Sequence, residues 1–288
     1  MTRLLFVHAH PDDETLATGV AILHHVRRGD DVHVLTCTLG EEGEVIPAEL
    51  SHLQGAEGDP LAAHRKGELK GAMGVLGATH HYLGAGDGSD DPSYRDSGMV
   101  GSPAFAHPRS FAGADLREVV DVMRSTIRAI APDVVVTYDE HGGYGHPDHI
   151  RVHDAVRAVL AEEPSASTLF VTVTPRSWAI EDRAWLASHV ATETGYAVPS
   201  TSDEMAPSVV DDAVVTHAVV DAGVVPQQQD ALRHHETQVV VGDGWFALSN
   251  DIAARLAGRE GYAVLDPVTG ALAPGDATHR RGLVEDLS

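Results

Sequence analysis

Residues 4–7, Leu4-Leu5-Phe6-Val7, form a short apolar run with no polar interruption, the pattern of a strand buried on both faces. Pro11-Asp12-Asp13-Glu14 follows closely. A proline at the first helical position and acids in the first turn suit the unpaired N–H groups and the dipole of a helix start. Leu16, Val20, Leu23 and Val26 then recur at helical spacing, so a helix is predicted from Pro11 up to Gly29, with a second strand over residues 32–38. Strand, helix and strand in this order make a βαβ unit, whose crossover is right-handed.

Residues 39–60 are rich in Gly and Glu and too long for a simple connection, which predicts a functional loop. A helix is expected over 61–76, a short strand over 81–83 and a second long loop over 84–113. Leu116, Val119, Val120, Met123, Ile127 and Ile130 form one helical stripe within 115–131, stopped by Pro132. Val134-Val135-Val136-Thr137-Tyr138 is the clearest strand in the chain. Pro147-Asp148 then opens another helix carried by Val152, Val156 and Val159, so the strand, loop and helix of the N-terminus recur. Beyond a strand at 169–174, only strands near 214–219 and 263–265 are legible. The alternation predicts an α/β fold, a Rossmann-like three-layer sandwich with a mostly parallel sheet and a less regular C-terminal region. It is expected as a single domain over 1–288, with a core of about 1–175 and a C-terminal elaboration of about 176–288. The ligand of such a sheet binds beyond the carboxyl ends of its strands.

Charge narrows the partners. Of 288 residues, 43 are acidic and 20 basic, a formal net charge of −23, and no basic run is longer than Arg27-Arg28 or Arg280-Arg281. Nucleic-acid binding, which needs a clustered basic surface, is excluded as an expectation. No apolar stretch approaches the ~20 residues of a membrane span, and the N-terminal apolar run is too short for a signal peptide. The single cysteine, Cys37, allows no intrachain disulfide and fits a reducing compartment, so a cytoplasmic, soluble protein is expected. Nothing in the pattern speaks to oligomeric state.

The candidate chemistry lies in two segments, His8-Ala9-His10-Pro11-Asp12-Asp13-Glu14 and Gly145-His146-Pro147-Asp148-His149, each placed after a buried strand. Positions three apart share a helical face, so His10 and Asp13, with one of His146 or His149, can supply ligands to one metal ion. Two histidines and a carboxylate with an open position for water form a hydrolytic metal site. His-Pro-Asp at a helix start is also good capping chemistry. Its recurrence after two separate strands, and the surplus of acids over what a cap needs, favour the site. A carboxylate crowded beside the metal is a candidate general base.

The pair of motifs resembles the LmbE-like, or PIG-L-like, family of metal-dependent N-acetylglucosaminide deacetylases. Residues 36–45 (Thr36-Cys37-Thr38-Leu39-Gly40-Glu41-Glu42-Gly43-Glu44-Val45), Tyr94-Arg95-Asp96-Ser97-Gly98-Met99, Gly142-Gly143-Tyr144-Gly145 and His235-Glu236-Thr237-Gln238-Val239 are similar to the branch that deacetylates N-acetylglucosaminyl-inositol in mycothiol biosynthesis. The resemblance implies that His10, Asp13 and His149 bind one Zn²⁺ per chain, with Fe²⁺ an alternative in the cell. It further implies Asp12 as the base, His146 as a general acid oriented and kept cationic by Asp148, and Tyr144 as an oxyanion donor. Sugar or inositol contacts are implied for Arg65, Asp96 and Glu44. Residues 57–64 and 179–212 match no motif. Related S-conjugate amidases are expected to carry a lysine just after the first motif, where this chain has Thr15-Leu16-Ala17-Thr18. Another small N-acetylglucosaminide deacetylase and a non-catalytic metal-binding α/β module are the remaining alternatives; no phosphate-cradling Gly motif follows any strand.

Overall fold

The computed structural model describes residues 1–86, 90–162, 167–275 and 279–284. Its first half is the expected alternation: β1 (Arg3–His8), α1 (Asp13–Arg28), β2 (Asp31–Thr36), α2 (Pro60–Leu76), β3 (Thr79–Tyr82), α3 (Leu116–Ile130), β4 (Val134–Tyr138), α4 (Gly142–Gly145), α5 (Pro147–Glu162) and β5 (Thr168–Pro175). Successive β1 side chains point to opposite faces, and both faces are apolar. Leu4 and Phe6 pack with α1, α2 and the later helix of residues 225–232, whereas Leu5 and Val7 pack with α3 and α5. Each such fully buried side chain contributes about 1.5–3 kcal/mol. This two-sided burial makes the three layers.

The less regular part contains α6 (Arg176–His189), β6 (Val209–Val210), β7 (His217–Val220), α7 (Val225–Leu232), β8 (Val240–Val241), β9 (Trp245–Ala247), β10 (Ala253–Arg255), β11 (Arg259–Val264) and β12 (Arg280–Arg281). β11 joins β5 antiparallel, β7 joins β11 antiparallel, and β12 lies parallel to β7, so this region extends the main sheet. The nine-stranded sheet runs β12-β7-β11-β5-β4-β1-β2-β3, with β6 on β5, and a small β10-β9-β8 sheet lies apart. From β3 to β5 every pairing is parallel. Helices α6 and α7 have no counterpart in the sequence expectation. α6 buries Leu186 alone, and the short α7 buries Gln228, Ala231 and Leu232, too weak a stripe to read in either.

The start of α1 also departs from expectation. The helix begins at Asp13, and Asp12 lies outside it at φ 104°, ψ −35°, while its carbonyl accepts from the N–H groups of Thr15 and Leu16. Pro11 is therefore in the turn and not at the first helical position. α3 behaves as read: Asp115 caps its N-terminus by accepting from the Arg117 N–H, and Ala131 ends it in a left-handed conformation before Pro132. Among the described residues, no helix is long and apolar enough to cross a membrane.

Candidate active site

β1 and β4 are parallel neighbours, but the chain proceeds from β1 toward β2 and β3 on one side and from β4 toward β5 on the other. The order reverses between them, which opens a crevice beyond their carboxyl ends. The turns after these two strands fill it. Gly142 permits the second turn: its φ is 61°, and a Cβ there would lie 2.7 Å from the His149 Cβ.

At the centre of the crevice three atoms form a nearly equilateral triangle. His10 Nδ1 lies 3.3 Å from Asp13 Oδ2 and 3.2 Å from His149 Nε2, and His149 Nε2 lies 3.3 Å from Asp13 Oδ2. The opposite ring nitrogens are committed elsewhere. His149 Nδ1 faces the Gly142 carbonyl at 3.1 Å, and His10 Nε2 faces Asp148 Oδ2 at 3.3 Å and Asp96 Oδ1 at 3.5 Å. With the ring protons on these outer nitrogens, two imidazole lone pairs and a carboxylate oxygen would converge on one point, the arrangement a cation needs. Asp13 Oδ2 is itself fixed by the His10 N–H and the Tyr138 hydroxyl.

The electrostatics demand positive charge at this point. Burial opposes protonation of His10, but the charges of Asp96, Asp13 and Asp148 prevail and hold its pKa well above the usual value. Asp13, for all its burial, is held well below the carboxylate range by His149 and His10. A divalent cation answers the same demand. Ligands about 2.0–2.1 Å from a tetrahedral ion stand roughly 3.3 Å apart, the edge of this triangle. The residues fit a metal, and the Gly142 and Asp148 contacts are the outer partners that fix ligand tautomers.

Asp12 stands beside the triangle, pointed by its left-handed backbone. Arg65, from α2, reaches under it and donates through Nη2 to Asp12 Oδ2 at 3.1 Å and to the Pro11 carbonyl, and through Nη1 to the Gly40 carbonyl at 2.7 Å. Burial raises the Asp12 pKa to about 7, with Arg65 opposing and Asp13 adding to the rise. Gly40 has no alternative: a Cβ would lie 1.8 Å from Arg65 Nη1, and its φ is 64°.

The other candidates fall around this centre. The His146 ring packs 4.6 Å from that of His10, and the Tyr144 ring sits 5.2 Å from His149 at the mouth, 57% exposed. Asp96 is buried, accepting from the N–H groups of Glu42 and Gly98, and Glu44 is exposed on the loop over 39–60. The expectation for Asp148 is corrected. Its carboxylate faces His10 and the N–H groups of Ser97 and Ala112, not His146. What it gives His146 is its backbone N–H, donated to Nδ1 at 3.2 Å. An Nδ1 that accepts belongs to a neutral ring protonated on Nε2. Burial, with His10 and His149 nearby, lowers the His146 pKa to about 3, which favours a neutral ring over the cationic acid expected from the sequence.

Sequence reasoning passed over Tyr138, whose hydroxyl donates to Asp13 at 2.8 Å and accepts the Ala9 N–H, while its ring stacks on His149 at 4.1 Å. Its position as the last residue of the clearest strand was the available signal. It also left Glu14 and His235 without roles. Glu14 Oε2 accepts the Asp12 N–H at 2.9 Å and its Oε1 meets His235 Nε2 at 2.9 Å, with both side chains fully buried. Despite burial, His235 holds the Glu14 pKa down to about 2, and Glu14 raises that of His235.

The family model for PIG-L, GlcNAc-PI de-N-acetylase, matches residues 5–160. Proteins described as 1D-myo-inositol 2-acetamido-2-deoxy-α-D-glucopyranoside deacetylase are similar over most of the chain. That of Thermomonospora curvata is 44% identical over 277 residues, covering 92% of this chain and 90% of its own. That of Rhodococcus opacus is 42% identical over 294 residues, covering 96% and 95%. Among solved structures, a deacetylase of the teicoplanin pathway superposes with a TM-score of 0.53 at 17% identity, covering 92% of this chain and 99% of that one. The N,N'-diacetylchitobiose deacetylase of Pyrococcus horikoshii gives 0.52 at 18% identity, covering 82% and 70%. At such identities these two likenesses concern the fold.

Proposed function

Given that the chain belongs to the PIG-L family of GlcNAc-PI de-N-acetylases, we propose that it hydrolyses the N-acetyl group of 1D-myo-inositol 2-acetamido-2-deoxy-α-D-glucopyranoside, releasing acetate and the free amine, the deacetylation step of mycothiol biosynthesis. The observation that carries the chemistry is the compact triangle of His10 Nδ1, Asp13 Oδ2 and His149 Nε2, with Asp12 next to Asp13 in the chain. His10 Nδ1, Asp13 Oδ2 and His149 Nε2 would hold one divalent cation, Zn²⁺ in the first instance, with Fe²⁺ suited to the same donors. Such an ion, when bound, polarises the acetyl carbonyl and acidifies water at its open position.

The protein's own groups move the protons. Asp12 accepts the proton of the attacking water as its oxygen bonds to the acetyl carbon. It then passes that proton to the amide nitrogen, which takes the electron pair of the breaking C–N bond and leaves as the amine. The acetic acid formed ionises to acetate. A carboxyl pushed toward neutrality by burial serves both transfers, since neither donation nor acceptance is far uphill. His146 contributes a hydrogen bond from neutral Nε2–H to the developing oxyanion, and Tyr144 at the mouth is the second donor. Sugar and inositol contacts are assigned to Arg65, Asp96 and Glu44. Arg65 and Asp96 are already held by protein partners, so they are preorganised and lose little freedom on binding.

The reading further takes the protein as cytoplasmic, one domain with the division near residue 175, and acting on a small molecule without nucleic-acid or membrane partners. The test is amine release from a panel of N-acetylated glucosides with and without an inositol aglycone, before and after removal and return of metal. The inositol glycoside should be preferred by kcat/KM. Equal turnover of every N-acetylglucosaminide would retain the chemistry and overturn the substrate.

A further inference from the structure

The strained backbone at Asp12 needs something to hold it. A non-glycine residue at φ 104°, ψ −35° lies outside the favoured regions, a conformation that costs of order 1–3 kcal/mol and persists only when its surroundings over-determine it. The Asp12 side chain makes no capping hydrogen bond to α1, and its amide N–H donates to Glu14 Oε2 at 2.9 Å. Glu14 in turn is a fully buried carboxylate. Its Oε1 accepts from the Thr15 hydroxyl at 2.6 Å and from His235 Nε2 at 2.9 Å.

An apolar pair would fill this volume at less cost, because taking a carboxylate and an imidazole out of water is repaid only by good geometry. His235 also comes from far along the chain. It lies beyond α7, in a segment tied to the site by two further bonds: the Thr237 N–H and hydroxyl both donate to Glu68 of α2, the helix that carries Arg65. The Thr237 carbonyl also receives the Ile46 N–H from the long loop beneath the mouth.

We propose that Glu14 and His235 are positioning residues for the catalytic carboxylate. His235 orients Glu14, Glu14 fixes the Asp12 amide, and the amide fixes the direction of the Asp12 side chain. The region after residue 175 therefore reaches into the first turn of the α/β core and sets its chemistry. This rests on the reading of Asp12 as the base.

The experiment compares His235→Phe, which keeps the ring volume and removes the donor, with His235→Gln, which keeps a donor able to reach Glu14. Asp12→Ala is the control for the underlying reading, and kcat, KM and bound metal are measured for each folded protein. Misplacing a reacting group by about 1 Å costs roughly 100-fold. His235→Phe should lose about that in kcat, with KM and metal content unchanged, and His235→Gln should recover most of it. If the Phe variant does not fold, His235→Asn, too short to reach Glu14, takes its place with the same expected loss. A donor-less variant that keeps kcat at full metal content overturns the proposal. So does a loss that follows the metal, since the pair would then support Asp13. Equal loss in His235→Gln and His235→Phe overturns it as well, because the imidazole itself would be acting. An active Asp12→Ala variant would instead overturn the assignment of the base.

Discussion

The turn after β1 and the turn after β4 carry nearly the same four residues, His10-Pro11-Asp12-Asp13 and His146-Pro147-Asp148-His149, and only the fourth position does the same work in both. Asp13 and His149 both enter the triangle. The other positions diverge because the helix starts at a different point in each motif. α1 begins at Asp13, after the left-handed Asp12, whereas α5 begins at Pro147. The same letters are thus displaced by two residues relative to the helix. Asp12 stays outside its helix, with its carboxylate held by Arg65. Asp148 lies inside the first turn of α5, buried, with its carboxylate turned across to His10. His10 donates a lone pair to the triangle, and His146, held at Nδ1 by a backbone N–H, stays beside it. On the proposed reading, a shared motif therefore divides into base and ligand support according to where the helix starts.

The comparison breaks most sharply at Asp12 and Asp148. Asp12→Asn is expected to lower kcat about 10³-fold while metal stays bound, within the span of general-base effects. If Asp148→Asn instead gave this result and Asp12→Asn were mild, the two turns would have exchanged roles.

The histidines form the next contrast. His149→Ala should not hold stoichiometric metal, whereas His146→Ala should bind it fully and lose roughly 100-fold in kcat, the effect of one oxyanion donor. Metal analysis of the two purified variants is sufficient to decide this. Because the His146 pKa lies near 3, the ring is neutral through the working range, so the alkaline limb of kcat/KM should survive in His146→Ala. Disappearance of that limb would restore a cationic acid.

A smaller effect is expected at Asp148 once its role is outer support. Through His10, Asp148→Asn should weaken metal affinity by about 10–100-fold, read by competition with a chelator. Unchanged affinity with a lowered kcat would move Asp148 back to His146.

The smallest effect concerns Arg65. Its positive charge favours the ionised form of Asp12, which is the form that accepts a proton. Removing the charge in Arg65→Gln raises the Asp12 pKa, and the acid limb of kcat/KM should move to higher pH. A shift to lower pH would show that Arg65 does not act on Asp12.

The α/β alternation was legible because strands buried on both faces must be continuous apolar runs, as 4–7 and 134–138 are, and helices between them must show one apolar stripe, as α3 does. The recurrence of histidine and acid after two such strands, together with the topology of parallel sheets, was enough to predict a metal crevice. The expectation of no nucleic-acid partner had an equally local basis, the lack of clustered basic residues. The tertiary structure decided which atom does what. The Asp148 carboxylate is aimed by N–H groups of Ser97 and Ala112, and Asp12 by Glu14, Arg65 and, at one remove, His235. Most of these partners lie tens or hundreds of residues away along the chain. The sequence determined which chemistries were available, because side-chain type is local. Orientation and protonation followed from burial and from contacts between distant segments, which come into being only when the sheet closes.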